Sequence, residues 1–63
     1  MTNQEMRSIV QQYEINYFKI GYKTGVHYGV IEDFFNGKTD ELADKDRERI
    51  VKLLEAEVKK HSK

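Results

Sequence analysis

The side chains that most often carry out chemistry in proteins are few in this chain and lie far apart in its sequence. His27 and His61 have no cysteine or second histidine beside them, and cysteine is absent altogether. Ser8 and Ser62 lack a histidine and a carboxylate at any spacing that activates a hydroxyl nucleophile. No glycine-rich phosphate-binding loop is present in the sequence either. The sequence therefore predicts a protein without catalytic residues, a metal site or a cofactor.

Two adjacent carboxylates, Glu32 and Asp33, stand in the middle of the segment TGVHYGVIEDFFNGKT, residues 24–39. Carboxylates are repelled by phosphates, but in the major groove of DNA they accept a hydrogen bond from the N4 amino group of cytosine. On a helix that only faces water, the same pair would be an ordinary solvated surface. Both interpretations stay open at the level of sequence.

Aromatic residues are concentrated in the first half of the chain. They are Tyr13, Tyr17, Phe18, Tyr22, Tyr28, Phe34 and Phe35. A domain of this size cannot bury all of them, and we expect Phe18, Tyr22, Tyr28 and Phe35 to stay partly exposed. Exposed aromatic side chains are typical of surfaces that bind another protein.

Composition limits the class of protein. The 63 residues leave room for a single domain, 1–63, and contain no proline. Eleven basic and eleven acidic residues give a formal net charge of zero, so the total charge does not indicate a nucleic-acid ligand. No hydrophobic signal-peptide region begins the sequence, and no apolar run approaches the ~20 residues of a membrane span. We expect a cytoplasmic protein with no membrane partner.

The sequence predicts an all-α fold of four helices, at about 3–13, 17–24, 27–35 and 44–60. Thr2 and Glu5 have the spacing of a capping box at the first helix, and Asn16 is a favourable N-cap for the second. Gly25 ends the second helix. Asp44 is predicted to cap the last helix, which at ~25 Å is about as long as the domain is wide. We therefore expect its C-terminal part to protrude.

Apolar side chains at helical spacing predict the inner face of each helix. They are Met6, Ile9, Val10 and Tyr13 in the first helix, Tyr17 and Ile20 in the second, Val30, Ile31 and Phe34 in the third, and Ile50, Val51, Leu53, Leu54 and Val58 in the last. Leu42 is expected to reach the core from a loop. Gly21 lies on the inner face of the second helix, where a missing side chain lets another helix come close. His27 begins the third helix and is either a half-buried packing residue or a residue that reads bases of DNA.

Residues 16–39, NYFKIGYKTGVHYGVIEDFFNGKT, have the spacing of two helices joined by a short turn. The KTGV turn (23–26), the inward Ile31 and the NGKT closure (36–39) resemble the lambda-repressor and Cro-like helix-turn-helix family, also called XRE-type. The similarity extends over about residues 3–54. This chain departs from the family in having Tyr17 where glutamine is common, Gly21 where alanine is usual, and one long last helix in place of two short ones.

The resemblance implies that bases are read from the outward face of the third helix. The matching positions are His27, Tyr28, Gly29 and Asp33. Phosphate contacts are implied at Asn16, Lys19, Asn36, Lys38 and Thr39. In any other protein the lysines would be ordinary solvated side chains, and Asn36-Gly37 would be a simple helix stop. So small a set of cations predicts weak binding, unless a homodimer occupies a palindromic operator.

Two functions are compatible with these features. The first is a phage-type, Cro-like transcriptional regulator that binds a double-stranded DNA operator, with 27–35 as the recognition helix in the major groove. The alternative keeps the helix-turn-helix scaffold but binds a protein, such as a repressor or another DNA-binding regulator. The face that would do so carries Tyr28, Glu32, Asp33 and Phe35. Such an antirepressor would compete with DNA through its acidic and aromatic side chains.

Overall fold

The computed structural model describes residues 1–62, and that part of the chain contains four α-helices and no strand. The helices are α1 (Asn3–Gln12), α2 (Tyr17–Thr24), α3 (Tyr28–Phe35) and α4 (Asp44–His61). The predicted all-α fold is therefore confirmed, and no predicted helix end is wrong by more than one residue. None of these helices has both the length and the apolar character that crossing a membrane requires.

The helix starts follow the capping predictions in two cases and depart from them in one. The Thr2 hydroxyl accepts a hydrogen bond from the Glu5 amide at 3.1 Å, and the Glu5 carboxylate accepts one from the Thr2 amide at 2.8 Å. Asn16 likewise accepts from a backbone amide in the first turn of α2. The predicted Asp44 cap is wrong, because Ala43 is the N-cap of α4 and makes no side-chain hydrogen bond. Asp44 is instead the first helical residue, where its negative charge interacts favourably with the helix macrodipole.

One cluster of buried apolar side chains joins the four helices. Its members are Met6, Val10, Ile15, Ile20, Val26, Ile31, Phe34, Ile50 and Leu54. Six of them, the largest of which is Phe34, are fully buried, and each such side chain contributes roughly 1.5–3 kcal/mol to folding. Val30 is 39% exposed, so its predicted place on the inner face of α3 is wrong. Leu42 packs against the edge of the cluster from its loop, as predicted.

Gly21 brings α2 and α3 close together. A Cβ atom on this residue would lie 3.2 Å from the Val26 carbonyl oxygen and 3.4 Å from the Ile31 Cδ1 atom. Both distances are at or below ordinary van der Waals contact, which is why a glycine serves here despite its low helix propensity. The predicted close approach at Gly21 is thus confirmed, and it fixes how α3 sits on α2.

The C-terminal half of α4 packs against the bundle, so the prediction that it protrudes is wrong. Glu57 is only 5% exposed and forms an ion pair with Lys19 of α2. The His61 ring stacks on Tyr13, with ring centroids 4.9 Å apart. A charged residue such as Glu57 carries no hydrophobic signal, so the sequence pattern does not indicate these contacts.

Arg7 ties the loop after α3 to α1. Its guanidinium donates to the Phe34 carbonyl and to the Thr39 carbonyl, each at 2.9 Å, and pairs with the Asp40 carboxylate at 2.8 Å. The same group lies 4.6 Å from the centroid of the Phe34 ring. Arg7 therefore fixes the end of α3 and the start of the connection to α4.

Candidate nucleic-acid interface

The connection between α2 and α3 determines which face of α3 is outward. It consists of Gly25, Val26 and His27. Gly25 has a φ of 77°, a left-handed conformation that glycine adopts without steric strain. Val26 is buried and anchors the turn, while Ile31 and Phe34 are fully buried on the inner side of α3. The opposite side of α3 is consequently presented to solvent.

His27 is the N-cap of α3, one residue before the helix, and is exposed. The alternative of a half-buried packing residue is therefore wrong. Its Nδ1 atom accepts a hydrogen bond from the Gly29 amide at 3.0 Å. An accepting Nδ1 leaves the hydrogen of the neutral ring on Nε2, so the free edge of the imidazole is a hydrogen-bond donor.

Tyr28 is half-buried beside two neighbours. Its ring stacks on Phe18 of α2, with centroids 4.4 Å apart and planes 15° from parallel. Desolvation, with the neighbouring Glu32 carboxylate as the second cause, raises the pKa of the Tyr28 hydroxyl above its usual value. The hydroxyl is therefore protonated at neutral pH and can donate a hydrogen bond. Glu32 is half-buried, whereas Asp33 is exposed.

Gly29 and Asp33 complete the predicted base-reading set. A Cβ atom on Gly29 would lie 3.2 Å from the His27 Nδ1 atom. The missing side chain therefore leaves space for the histidine cap and adds no bulk to the surface of α3. Asp33 is exposed, and its carboxylate has no hydrogen-bond or ion-pair partner within residues 1–62. Of the predicted base-reading set, His27 and Asp33 are therefore exposed, whereas Tyr28 and Gly29 are half-buried at the start of α3.

The residues predicted to contact phosphates differ in whether their polar groups are already engaged within the protein. Asn16 and Asn36 are exposed, but the side-chain oxygen of each is occupied, by the Phe18 amide at 2.7 Å and by the Tyr17 hydroxyl at 3.1 Å respectively. The amide NH₂ of each asparagine remains available as a donor to a phosphate oxygen. Tyr17 therefore holds Asn36 in place.

Lys19 and Lys38 have different surroundings. The Lys19 ammonium is bound to the buried Glu57 carboxylate on the α4 side of α2, so a phosphate contact at Lys19 competes with that ion pair. Lys38 is exposed and has no ion-pair partner within residues 1–62. Thr39 is half-buried, and its hydroxyl accepts from the Glu41 amide at 3.2 Å. Lys38 is therefore the predicted phosphate contact with a free charge.

The alternative protein-binding face extends beyond the residues that the sequence suggested. Phe35 is half-buried against Tyr17, with ring centroids 5.8 Å apart, while Phe18 and Tyr22 of α2 are 67% and 90% exposed. Phe18 connects this aromatic surface to α3 through its stack on Tyr28. The predicted exposure of aromatic side chains is confirmed, and the most exposed ones lie on α2.

Arg7 and Glu57 are the residues whose roles the sequence did not reveal. Both act through partners that are distant in the chain, and no local spacing signals such contacts. Within residues 1–62, no group of three His, Asp or Glu side chains could hold a metal ion. Comparisons of the chain with protein-family models, with curated proteins and with solved structures found no match.

Proposed function

We propose that this protein is a sequence-specific DNA-binding regulator of the Cro-like, phage-type class and that α3 is its recognition helix. One observation supports the proposal most strongly. The three-residue turn fixes Ile31 and Phe34 inward, so the first half of α3 is free to enter a major groove. An α-helix fits that groove, and side chains near its N-terminus reach the base edges.

Each proposed base reader has a definite chemical capacity. The Nε2 hydrogen of His27 suits an acceptor such as N7 or O6 of guanine, and Asp33 suits the N4 amino group of cytosine. Gly29 lets the backbone of α3 approach the groove closely. Lys38 and the asparagine amides of Asn16 and Asn36 would hold the phosphates on either side.

The proposal is tested by selection from a library of randomised DNA duplexes at low salt. We expect enrichment of a common sequence, palindromic if the protein dimerises on DNA. Lys38→Ala should weaken binding to all enriched duplexes by a similar factor, because a phosphate contact carries no sequence information. If no sequence is enriched, the proposed function is wrong.

A second candidate function is favoured by the aromatic surface on α2. Phe18 and Tyr22 are largely exposed, and together with Tyr28, Glu32 and Asp33 they make a surface of aromatic and acidic side chains. Basic DNA-binding proteins present the complementary charge. On this hypothesis the chain is a protein-binding modulator or antirepressor, and α3 contacts a regulator instead of DNA.

The second candidate is tested by binding a partner from a lysate of the cell in which the chain is found. We expect a stoichiometric partner that the Tyr22→Ala and Glu32→Gln variants lose. Lys38 lies outside the aromatic surface, so the Lys38→Ala variant is the matched control and should still bind the partner. A partner released by added duplex DNA would indicate that both ligands use the same face, and absence of any stoichiometric partner would count against this candidate.

A further inference from the structure

The outward side of α4 carries a cluster of cations that neither the core nor the α3 face uses. Lys45, Arg49 and Lys52 recur at i, i+4 and i+7, so they lie on one side of the helix. Lys23, in the last turn of α2, lies next to them, and all four residues are exposed. We call these four residues the α4 basic patch.

The side chains of the α4 basic patch line two open, shallow clefts. Lys23, Arg49 and Lys52 line a cleft of about 490 Å³ between α2 and α4. Lys45, Arg49 and Lys52 line an adjoining cleft of about 230 Å³ together with Glu48. Because Arg49 and Lys52 belong to both, the two clefts form one continuous surface on which an anionic group can contact several cations.

Positive charge dominates this surface, although the formal net charge of the whole chain is zero. Glu48 is the carboxylate that lines the smaller cleft, and it lies 3.8 Å from the Lys52 ammonium with both side chains at least 70% exposed. Exposed pairs of this kind are weak. Within residues 1–62, Lys23, Lys45 and Arg49 have no ion-pair partner. The local field is therefore positive.

The patch adjoins the turn from which α3 begins. A guanidinium nitrogen of Arg49 lies 4.0 Å from the position that a Cβ atom would take on Gly25, and Lys23 precedes Gly25 by two residues. A duplex that receives the start of α3 in its major groove places its sugar-phosphate backbone at the groove edges. Arg49 and Lys23 lie beside this turn, and their side chains are long and basic.

We propose that the α4 basic patch contacts the phosphate backbone of the duplex that α3 enters. This inference rests on the proposed DNA-binding function. The α4 basic patch would supply cations that the α3 face lacks, because that face carries Glu32 and Asp33 and its free lysine is Lys38. The inference also gives a role to α4, the single long helix that stands in place of the two short helices implied by the resemblance.

The test compares two double variants with the same net charge. Lys45→Gln with Arg49→Gln removes two cations of the patch, and Lys59→Gln with Lys60→Gln removes two cations from the other end of the same helix. Binding of each variant to the selected duplex and to an unrelated duplex is measured over a range of salt concentrations. Thermal unfolding followed by circular dichroism verifies that each variant is folded.

The patch variant is expected to lose roughly tenfold or more in affinity for both duplexes, and the slope of log affinity against log salt should fall by about 2. The distal control should change affinity by less than about twofold. Equal losses in the two variants would overturn the inference, because they would reflect net charge alone.

The remaining outcomes separate this inference from the proposed function. If the wild type selects a sequence and the patch variant binds it unchanged, the patch inference is wrong and the proposed function stands. If the wild type binds all duplexes equally and the patch variant does not, the patch inference stands and base reading by α3 is wrong. If the wild type binds no duplex, both are wrong.

Discussion

His27 has two roles at the scale of a single residue. Its Nδ1 atom accepts the Gly29 amide and so caps α3, while the opposite edge of the ring is free to donate to a base. A side-chain cap at a helix N-terminus satisfies one of the backbone N–H groups that have no partner within the helix. The geometry of the candidate reading surface and the stability of α3 therefore depend on the same side chain.

Removing the cap should destabilise the protein by a measurable amount. His27→Ala is expected to lower the free energy of unfolding by about 0.5–2 kcal/mol, and His27→Asn, which retains an acceptor, should restore most of that loss. Urea denaturation of the three proteins measures the difference. Equal stability of the alanine and asparagine variants would show that the cap contributes nothing.

Glu57 gives the fold a sensitivity to acid. The hydrogen bond from the Lys19 ammonium holds the pKa of Glu57 below its ordinary value, and this outweighs the opposing effect of burial. A lowered folded-state pKa means that the contribution of Glu57 is present at pH values above the ordinary carboxyl pKa of 4.5. It is lost as the pH falls through the lower pKa of the folded state.

We predict that the stability difference between the wild type and Glu57→Gln is largest near neutral pH and shrinks below about pH 4.5. Urea denaturation at several pH values measures this difference. Glu5, whose pKa is also lowered by its hydrogen bonds from Thr2, titrates in both proteins and so cancels. A difference that stays constant down to pH 3 would contradict the assigned role of the Lys19 and Glu57 pair.

At the scale of the elements, α3 is held between two fixed points. The turn at Gly25 sets where it begins, and Arg7 of α1 binds the Phe34 carbonyl at its end. Arg7 also holds the Thr39 carbonyl in the following loop. The orientation of the candidate recognition helix thus depends on a residue that is far from any proposed ligand.

Arg7→Met should destabilise the protein by about 1–3 kcal/mol, because the part-buried Thr39 carbonyl loses its donor and the Phe34 carbonyl loses one of its two donors, while much of the apolar side chain is kept. Hydrogen exchange of the amides in residues 36–43 should become faster, since the loop loses its tether to α1. Lys52→Met, which removes an exposed cation from α4, is the control. Unchanged exchange in the loop of the Arg7 variant would contradict this role.

The element boundaries were largely predictable from the sequence, and the long-range polar contacts were not. Thr2, Asn16 and Gly25 determine helix ends through contacts within a few residues, which is why their types and spacing signalled those ends. Arg7 and Glu57 act on partners in other helices, and a charged residue carries no periodic signal that identifies its partner. For the same reason the sequence pattern does not indicate that the C-terminal half of α4 packs against the bundle through Glu57.

The candidate site was predictable to a similar degree. The inward Ile31 and Phe34 followed from helical spacing, so the outward set on α3 followed as well. The sequence did not show that Lys19 is engaged by Glu57 or that Phe18 covers one side of Tyr28. Both features depend on the packing of α2 against its neighbours, which a one-dimensional pattern does not contain.

At the scale of the whole molecule, charges are divided between surfaces although they sum to zero. The α3 face carries Glu32 and Asp33, whereas the α4 basic patch carries Lys23, Lys45 and Arg49, which have no ion-pair partner within residues 1–62. A DNA-binding protein arranged in this way would take much of its affinity from the patch and its sequence preference from α3, because phosphate contacts supply affinity and base contacts supply specificity.

The central claim is that the exposed side of α3 reads base pairs, and duplex selection with the wild type and with Asp33→Ala tests it most directly. Asp33 is exposed and has no ion-pair partner within residues 1–62, so its removal should leave the fold intact. We predict that the variant loses preference at one base-pair position, by about 1–3 kcal/mol, and keeps the preferences elsewhere. An unchanged selected sequence, or no selected sequence for the wild type, would contradict the claim.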